Sequence, residues 1–385
     1  MKYYCLLFFL LLLVCCQPDD CRMEKLRLNP TLARQVELSS ISDSICVVSL
    51  QTNDTCLISN IRDMLLYEDR IYILDLDAAK VFIFDRQGKC LSVIDNRGEG
   101  PQEYVSLSCF YINKHNETLV LVDNQKKKEH IYSLNGHYLD SAPIDFKILS
   151  ATYLDSGEKL LVRNQADASA NTGFLLNVYK QDLLLRRYLP FHYENGASIM
   201  SKDHGECVYG SSFYYNSLNN DTIYYYEKGL LEPCFLIDFG KYGIPTEIKN
   251  LPQSSRSSSI VKYLSSCDYK CANWFSILSI KNNKMFVSYA YNKQPYFGVY
   301  DMNKNRIETE FFNPTIGGCP IYSLANMYFA HDDCLSFIVN NYRILNGGED
   351  YSGIKDVCSD FYDKVQQIDM ESNPIILISR LKLFN

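Results

Sequence analysis

Residues 71–95 and 119–143 of this chain are one pattern written twice. The first copy runs Ile71-Tyr72-Ile73-Leu74-Asp75, then Val81-Phe82-Ile83-Phe84-Asp85, a turn at Gln87-Gly88-Lys89, and Leu91. The second runs Leu119-Val120-Leu121-Val122-Asp123, then His130-Ile131-Tyr132, a turn at Asn135-Gly136-His137, and Leu139. Asp75 to Asp123, Gly88 to Gly136 and Phe84 to Tyr132 are each 48 residues apart, so three landmarks agree on one period. A repeat of that size with strand-turn-strand content is the mark of a β-propeller blade.

The same grammar continues in more worn form. Blade one spans 61–94 and blade two 107–144. A third, 151–191, holds Lys159-Leu160-Leu161-Val162 and Phe174 to Tyr179 but has lost the glycine of its turn. A fourth, 207–239, passes from Ser211–Leu218 into Asp221-Thr222-Ile223-Tyr224-Tyr225-Tyr226. A fifth, 274–312, carries Phe297 to Asn305, which echoes Val81 to Gly88, and a sixth begins near Tyr322 and includes Cys334 to Val339. Between the fourth and fifth, residues 241–270 hold Pro245, Pro252 and the Ser254–Ser259 cluster and predict a long loop. Ile354, Val357, Phe361 and Val365 fall at spacings of three and four, which predicts a short amphipathic helix over 354–367. An open ring would leave bare sheet edges, so the strand Val47–Leu50 is expected to complete the last blade. The fold class is therefore all-β, a six-bladed β-propeller closed by an N-terminal strand, with one short helix near the C-terminus.

The 38 basic and 45 acidic residues make a mildly acidic protein with no long basic run, which argues against nucleic acid as a partner. The 30 Tyr and 20 Phe suit pleated, half-buried surfaces. At the N-terminus, Met1-Lys2 precedes an apolar run from Leu6 to Val14, too short to span a bilayer, which reads as an export signal. Leu13-Val14-Cys15-Cys16 resembles the bacterial lipobox, which makes Cys16 the expected lipidated residue. Residues 1–15 are then a signal peptide, 16–37 a tether and 38–385 the propeller. Most of the remaining cysteines, Cys46, Cys90 and Cys234 among them, sit in apolar strand text and read as core. Cys267 and Cys271 could pair, though their spacing does not force it. No second Cys or His pair stands near them at a zinc-site spacing, so neither metal nor cofactor is expected.

Arg97-Gly98-Glu99-Gly100-Pro101-Gln102-Glu103-Tyr104 is the densest candidate site. Two glycines and a proline shape the backbone, and Arg97, Glu99, Glu103 and Tyr104 are the candidate ligand-binding residues. The competing reading is a corner between blades. Asp75, Asp85 and Asp123 recur at strand ends and read as turn caps. His331-Asp332-Asp333 is the one close His/carboxylate cluster and reads as a solvated turn. Tyr214-Tyr215 and Tyr224-Tyr225-Tyr226 could stack on sugar rings, with inter-blade packing the stronger expectation. Neither a Gly-x-Ser-x-Gly elbow nor a His-Glu-x-x-His pair is present. Asp43-Ser44-Ile45 and Asp140-Ser141-Ala142 fit a loose O-glycosylation pattern.

With these residues in hand, the chain resembles the six-bladed β-propeller lipoproteins common in Bacteroides-type bacteria, relatives in shape of the NHL and TolB-like propellers. The likeness rests on Val48-Ser49-Leu50 with Cys56 to Ile61, on Arg97 to Tyr104, on Asp221-Thr222-Ile223-Tyr224 continuing into Ile237 to Gly240, and on Asn373-Pro374-Ile375-Ile376-Leu377. Gln17-Pro18-Asp19-Asp20 looks like the short acidic tags that send such lipoproteins to the outer face of the outer membrane. The resemblance implies fold and location, not an activity. The leading expectation is a lipid-anchored, non-catalytic binding or scaffolding module for a protein or glycan ligand at the cell surface. The rival is a propeller hydrolase or lyase with an axial metal, acting on a glycan or lactone.

Overall fold

The computed structural model describes residues 23–164, 172–192, 205–216, 220–266, 272–304, 306–307, 311–347 and 350–382. Cys16, Cys267 and Cys271 lie outside them. Three strands come first: β1 (Glu24–Arg27), β2 (Arg34–Glu37) and β3 (Ser42–Ser49). The first antiparallel sheet follows as β4 (Ile61–Tyr67), β5 (Arg70–Asp75), β6 (Lys80–Asp85) and β7 (Cys90–Ile94). The second is β8 (Cys109–Asn113), β9 (Thr118–Asp123), β10 (Lys128–Ser133) and β11 (Tyr138–Pro143). The third is β12 (Ile148–Tyr153), β13 (Lys159–Arg163), β14 (Thr172–Lys180) and β15 (Leu183–His192). The fourth is β16 (Gly205–Tyr209), β17 (Ser212–Asn216), β18 (Thr222–Glu227) and β19 (Leu230–Asp238).

The fifth sheet runs β20 (Ala272–Lys281), β21 (Lys284–Tyr291) and β22 (Gln294–Asp301). Its outer position is shared by β23 (Arg306–Ile307) and β24 (Phe312–Ile316), with β25 (Cys319–Pro320) paired to β24. The last sheet is β26 (Ala325–His331), β27 (Cys334–Val339), β28 (Ile375–Leu381) and then β3 from the start of the chain. Its closing register sets Ile375 opposite Ser49 and Leu377 opposite Val47. The strand expected at Val47–Leu50 is thus longer and begins at Ser42.

The core consists of slabs between neighbouring sheets. Tyr72, Leu74, Val81 and Ile83 of the first sheet meet Phe110, Leu119 and Leu121 of the second. On the opposite face, Ile71, Ile73, Phe82 and Phe84 meet Val48, Ile376 and Ile378 of the last. Successive residues of a strand point to opposite faces, so a strand with a sheet on either side must be apolar at every position. That is why Ile71 to Leu74 and Val81 to Phe84 read as unbroken apolar runs, and all eight are buried. Comparable clusters fill the remaining junctions, and the slab between last and first sheets makes the arrangement a closed β-propeller.

The turn glycines carry out their expected task, Gly88 at φ +85° and Gly136 at φ +87°. In the third sheet, Gln181 and Asp182 take positive φ of 48° and 63° with no glycine to help, which explains why that turn is invisible to a glycine search.

Several expectations change on the structure. Residues read as a tether are partly woven into the body, since β1 pairs parallel with β19 and β2 parallel with β24. The segment read as a long loop contains helices Thr246–Lys249 and Gln253–Leu264. Pro252 precedes the longer one and its carbonyl accepts from Ser255 N, a position where proline costs nothing, while Ile260 is buried. The predicted helix over 354–367 is two, Ser352–Val357 and Ser359–Val365, broken at Cys358. The break leaves Ile354, Phe361 and Val365 buried and turns Val357 outward. Cys46, read as core, is exposed because β3 is an outermost strand with one face in solvent.

Candidate functional site

All six inner strands, β4, β8, β12, β16, β20 and β26, contribute to one central cavity of about 1230 Å³. Its wall mixes apolar positions such as Met64, Phe110 and Ile277 with Arg62, Ser150, Glu206, Ser276 and Ser279. Ser150 Oγ donates to Glu206 Oε1 at 2.5 Å, joining the third and fourth sheets across the wall. The mouth at the face where the inner strands begin is lined by Gln294, Asn313, Tyr322, Tyr328 and Arg343 from the fifth and last sheets and their connections. Tyr328 is held by Ser288, oxygen to oxygen 3.2 Å, and by an edge contact with Phe297.

Two buried polar atoms on this wall have no hydrogen-bond partner, Oδ1 of Asn313 and Oγ of Ser279. The Asn313 amide is otherwise fixed, because Nδ2 donates to the Pro295 carbonyl at 2.8 Å. An unpaired buried polar atom costs roughly 1–3 kcal/mol, which a bound polar group would recover.

At the opposite face, His331, Asp332 and Asp333 do line the cavity, although the sequence reads them only as a turn. A His331 ring nitrogen lies 3.0 Å from the Met64 carbonyl oxygen, and Asp333 pairs with Lys281 at 2.6 Å. Burial alone pushes the Asp333 carboxyl up, but Lys281 and Arg380 outweigh it and leave the group below its usual value. Stability drawn from this depressed carboxylate is fully present above its unfolded-state value, about pH 4, and is lost as pH falls through the folded one. Asp333→Asn is therefore expected to flatten the acid limb of a plot of unfolding midpoint against pH. Parallel acid limbs for the two proteins would refute the pairing.

The loop from Arg97 to Tyr104 is not on the cavity wall. It is a corner between the first and second sheets, on the same face as the mouth. Lys126 Nζ donates to the carbonyls of Gly98, Gly100 and Glu103 at 2.9, 3.1 and 2.9 Å. Glu103 Oε2 accepts from Gly100 N at 2.7 Å, and the carboxylate would overlap any Cβ placed on Gly98. Tyr104 is fully buried, its hydroxyl donating to Ile94 O and accepting from Asn96 N. Glu103 and Tyr104 thus hold the corner, while Arg97 and Glu99 face solvent.

The repeated aspartates share one role. Asp75 Oδ1 accepts from Asp77 N and Ala78 N, and its carboxylate also takes Ser59 N. Asp123 does the same with Gln125 N, Lys126 N and Val105 N. Each caps a turn and ties down the preceding connection, which explains their recurrence. Tyr214 and Tyr225 pack with centroids 4.9 Å apart and rings tilted by 49°, and Tyr214, Tyr215 and Tyr226 are buried in the slabs between sheets.

The cavity-lining residues escaped the sequence reading because each inner strand contributes only three to six, scattered over the whole chain. The one usable signal is polar residues on the first strand of each repeat. Among the described residues no three His, Cys, Asp or Glu side chains gather as a metal site, and no helix is long and apolar enough to cross a membrane.

The model of a domain of unknown function, DUF4934, matches residues 26–380. The chain belongs to the DUF4934 family. No curated protein matches this DUF4934 chain. Among solved structures it is similar to a protein of Bacteroides fragilis, at 19% identity and TM-score 0.72, covering 93% of this chain and 99% of that one. It is also similar to a DUF4221 member from Bacteroides vulgatus, at 10% identity and TM-score 0.54, covering 88% and 96%. At these identities the likeness carries the fold of DUF4934 and nothing of its chemistry.

Proposed function

We propose that this DUF4934 protein is a non-catalytic binding module of the cell envelope that takes a glycan, or a peptide of similar girth, at the mouth of its central cavity. The observation that carries the reading is the cavity itself. It exceeds the usual small-molecule range of roughly 300–1,000 Å³ and combines aromatic faces, amides and an unpaired acceptor at one opening. Tyr322 and Tyr328 supply apolar faces for a sugar ring, and Asn313, Gln294 and Arg343 supply the polar contacts that orient hydroxyls. Arg97 and Glu99, on the same face, would extend the contact surface.

The envelope address is supported by the apolar segment ahead of Cys16 and by the solved B. fragilis relative, which is described as an exported protein. Lipidation at Cys16, surface display at the outer membrane and a ring in which every sheet counts as one blade of a six-bladed propeller complete the proposal.

The test is calorimetric titration of the full chain against a panel of envelope and host polysaccharides and peptides. Binding to a panel member is expected to weaken roughly 2- to 10-fold in Tyr322→Ala, since aromatic contacts of this kind are worth roughly 0.5–1.5 kcal/mol beyond area burial. A ligand whose affinity is indifferent to Tyr322→Ala and to Asn313→Ala would place the site elsewhere. No heat with any panel member would remove the binder reading.

A further inference from the structure

Among the described residues ten leucines are exposed; Leu32, Leu57, Leu76 and Leu345 lie elsewhere, and the other six share one rim. Leu91, Leu139, Leu183, Leu184, Leu185 and Leu230 are all solvent-exposed, and each lies near the start of an outermost strand: β7, β11, β15 or β19. Four consecutive sheets therefore place leucine at the same rim. That rim belongs to the face where the inner strands end, because outermost strands start beside the ends of their inner ones.

The arc is densest where the third and fourth sheets meet. Tyr188 Oη donates to Gly229 O at 2.6 Å, and the Arg186 guanidinium lies against Gly229, which ties β15 to the start of β19. Leu183 and Leu230 are 70% and 64% exposed. Lys180, Arg186, Arg187 and Lys228 are exposed around them, with Asp182 and Glu227 interspersed and Glu227 paired to Lys228. Residues 180–187 carry three cations against one carboxylate in a chain of net charge −7.

The occupant of this rim is indicated by where the chain enters. β1 runs parallel to β19, with Glu24 opposite Phe235 and Arg27 opposite Asp238. Strand β1 therefore runs away from the Leu230 end of that sheet, so its first residue points back toward the leucine face. The apolar run Leu6–Val14 and Cys16 lie upstream of that entry point.

We propose that the leucine rim is a membrane-docking face, seated in the interfacial region of a phospholipid bilayer with its basic residues among anionic headgroups. The cavity mouth then faces away from the membrane. Leucine at the headgroup boundary with flanking Lys and Arg is the composition that interfacial binding requires. The inference rests on the envelope reading and adds an orientation to it, independent of any ligand.

The test uses the full chain carrying Leu184→Trp, Leu230→Trp or Tyr342→Trp. Tyr342 is 63% exposed on the helix Asn341–Asn346, which follows β27 at the opposite face. Each protein is mixed with vesicles of phosphatidylcholine and phosphatidylglycerol brominated on the acyl chains, and emission is read above that of the single native Trp274. Emission added by Leu184→Trp and Leu230→Trp is expected to shift blue and be quenched by roughly half or more, and that added by Tyr342→Trp to stay unchanged. Combining Leu183→Ser, Leu185→Ser and Leu230→Ser is expected to reduce vesicle partitioning by about tenfold or more. Equal quenching at all three positions, or none at the rim, would overturn the proposal. Cys16→Ser is expected to leave the quenching pattern intact, so failure of the lipid anchor and failure of the docking face give different results.

Discussion

Lys159→Met is expected to lower the unfolding free energy by about 3–5 kcal/mol, the range found when one partner of a buried ion pair is removed. Lys159 Nζ donates to Glu129 Oε2 at 2.5 Å, and Tyr111 Oη donates to Glu129 Oε1 at 2.7 Å. All three sit in the slab between the second and third sheets, with the ammonium over the rings of Tyr111 and Tyr153 at 5.5 and 5.9 Å. Burial, helped by the Glu129 charge, pushes the Tyr111 hydroxyl well up, so it remains a protonated donor. Removing the ammonium strands a carboxylate that water cannot reach. Adding Glu129→Gln to Lys159→Met removes that charge while keeping an acceptor for Tyr111, and most of the lost stability should return. Urea unfolding of the two single and one double variants checks this. A single-variant cost under about 1 kcal/mol, the surface-pair value, would show the site to be wet.

Gly88→Ala should cost about 3–5 kcal/mol. Gly88 has φ +85°, and a Cβ there would lie 2.1 Å from the Ser49 carbonyl oxygen and 2.9 Å from its carbon. Ser49 ends the closing strand β3, and the Gly88 carbonyl accepts from Gln51 N at 2.8 Å. The methyl group therefore pushes directly on the segment that seals the ring. Gly157 is the internal control, with φ +78° and nothing within 4 Å of its would-be Cβ. Gly157→Ala should cost only the left-handed backbone strain, about 1–2 kcal/mol. Unfolding midpoints and protease cleavage ahead of Gln51 distinguish the two. Equal costs would show that the Ser49 contact relaxes freely.

The comparison of sequence with structure turns on how local each signal is. The strand pairs of the first two sheets were legible because their cause is local: Gly88 and Gly136 must take positive φ, and strands flanked by sheets on both faces must be apolar throughout. The aspartate caps were legible for the same reason, since Asp75 and Asp123 bond backbone groups two and three residues away. The helix Gln253–Leu264 was not, because serine is a poor helix signal and the burial of Ile260 depends on what it packs against. The Arg97–Tyr104 loop drew attention through its composition, but what that composition encodes is a corner tied by Lys126, a residue more than twenty positions downstream.

By itself the sequence determined the repeat, the strand content of each unit and the need for a closing strand, because periodicity and turn chemistry act over a few residues. Only the tertiary structure decided which polar residues share the cavity, that β1 and β2 join the fourth and fifth sheets, and that exposed leucines from four sheets form one rim. Each of those juxtapositions joins residues tens to hundreds of positions apart. They are set by how twisted sheets pack around a common axis, and no local pattern carries that information.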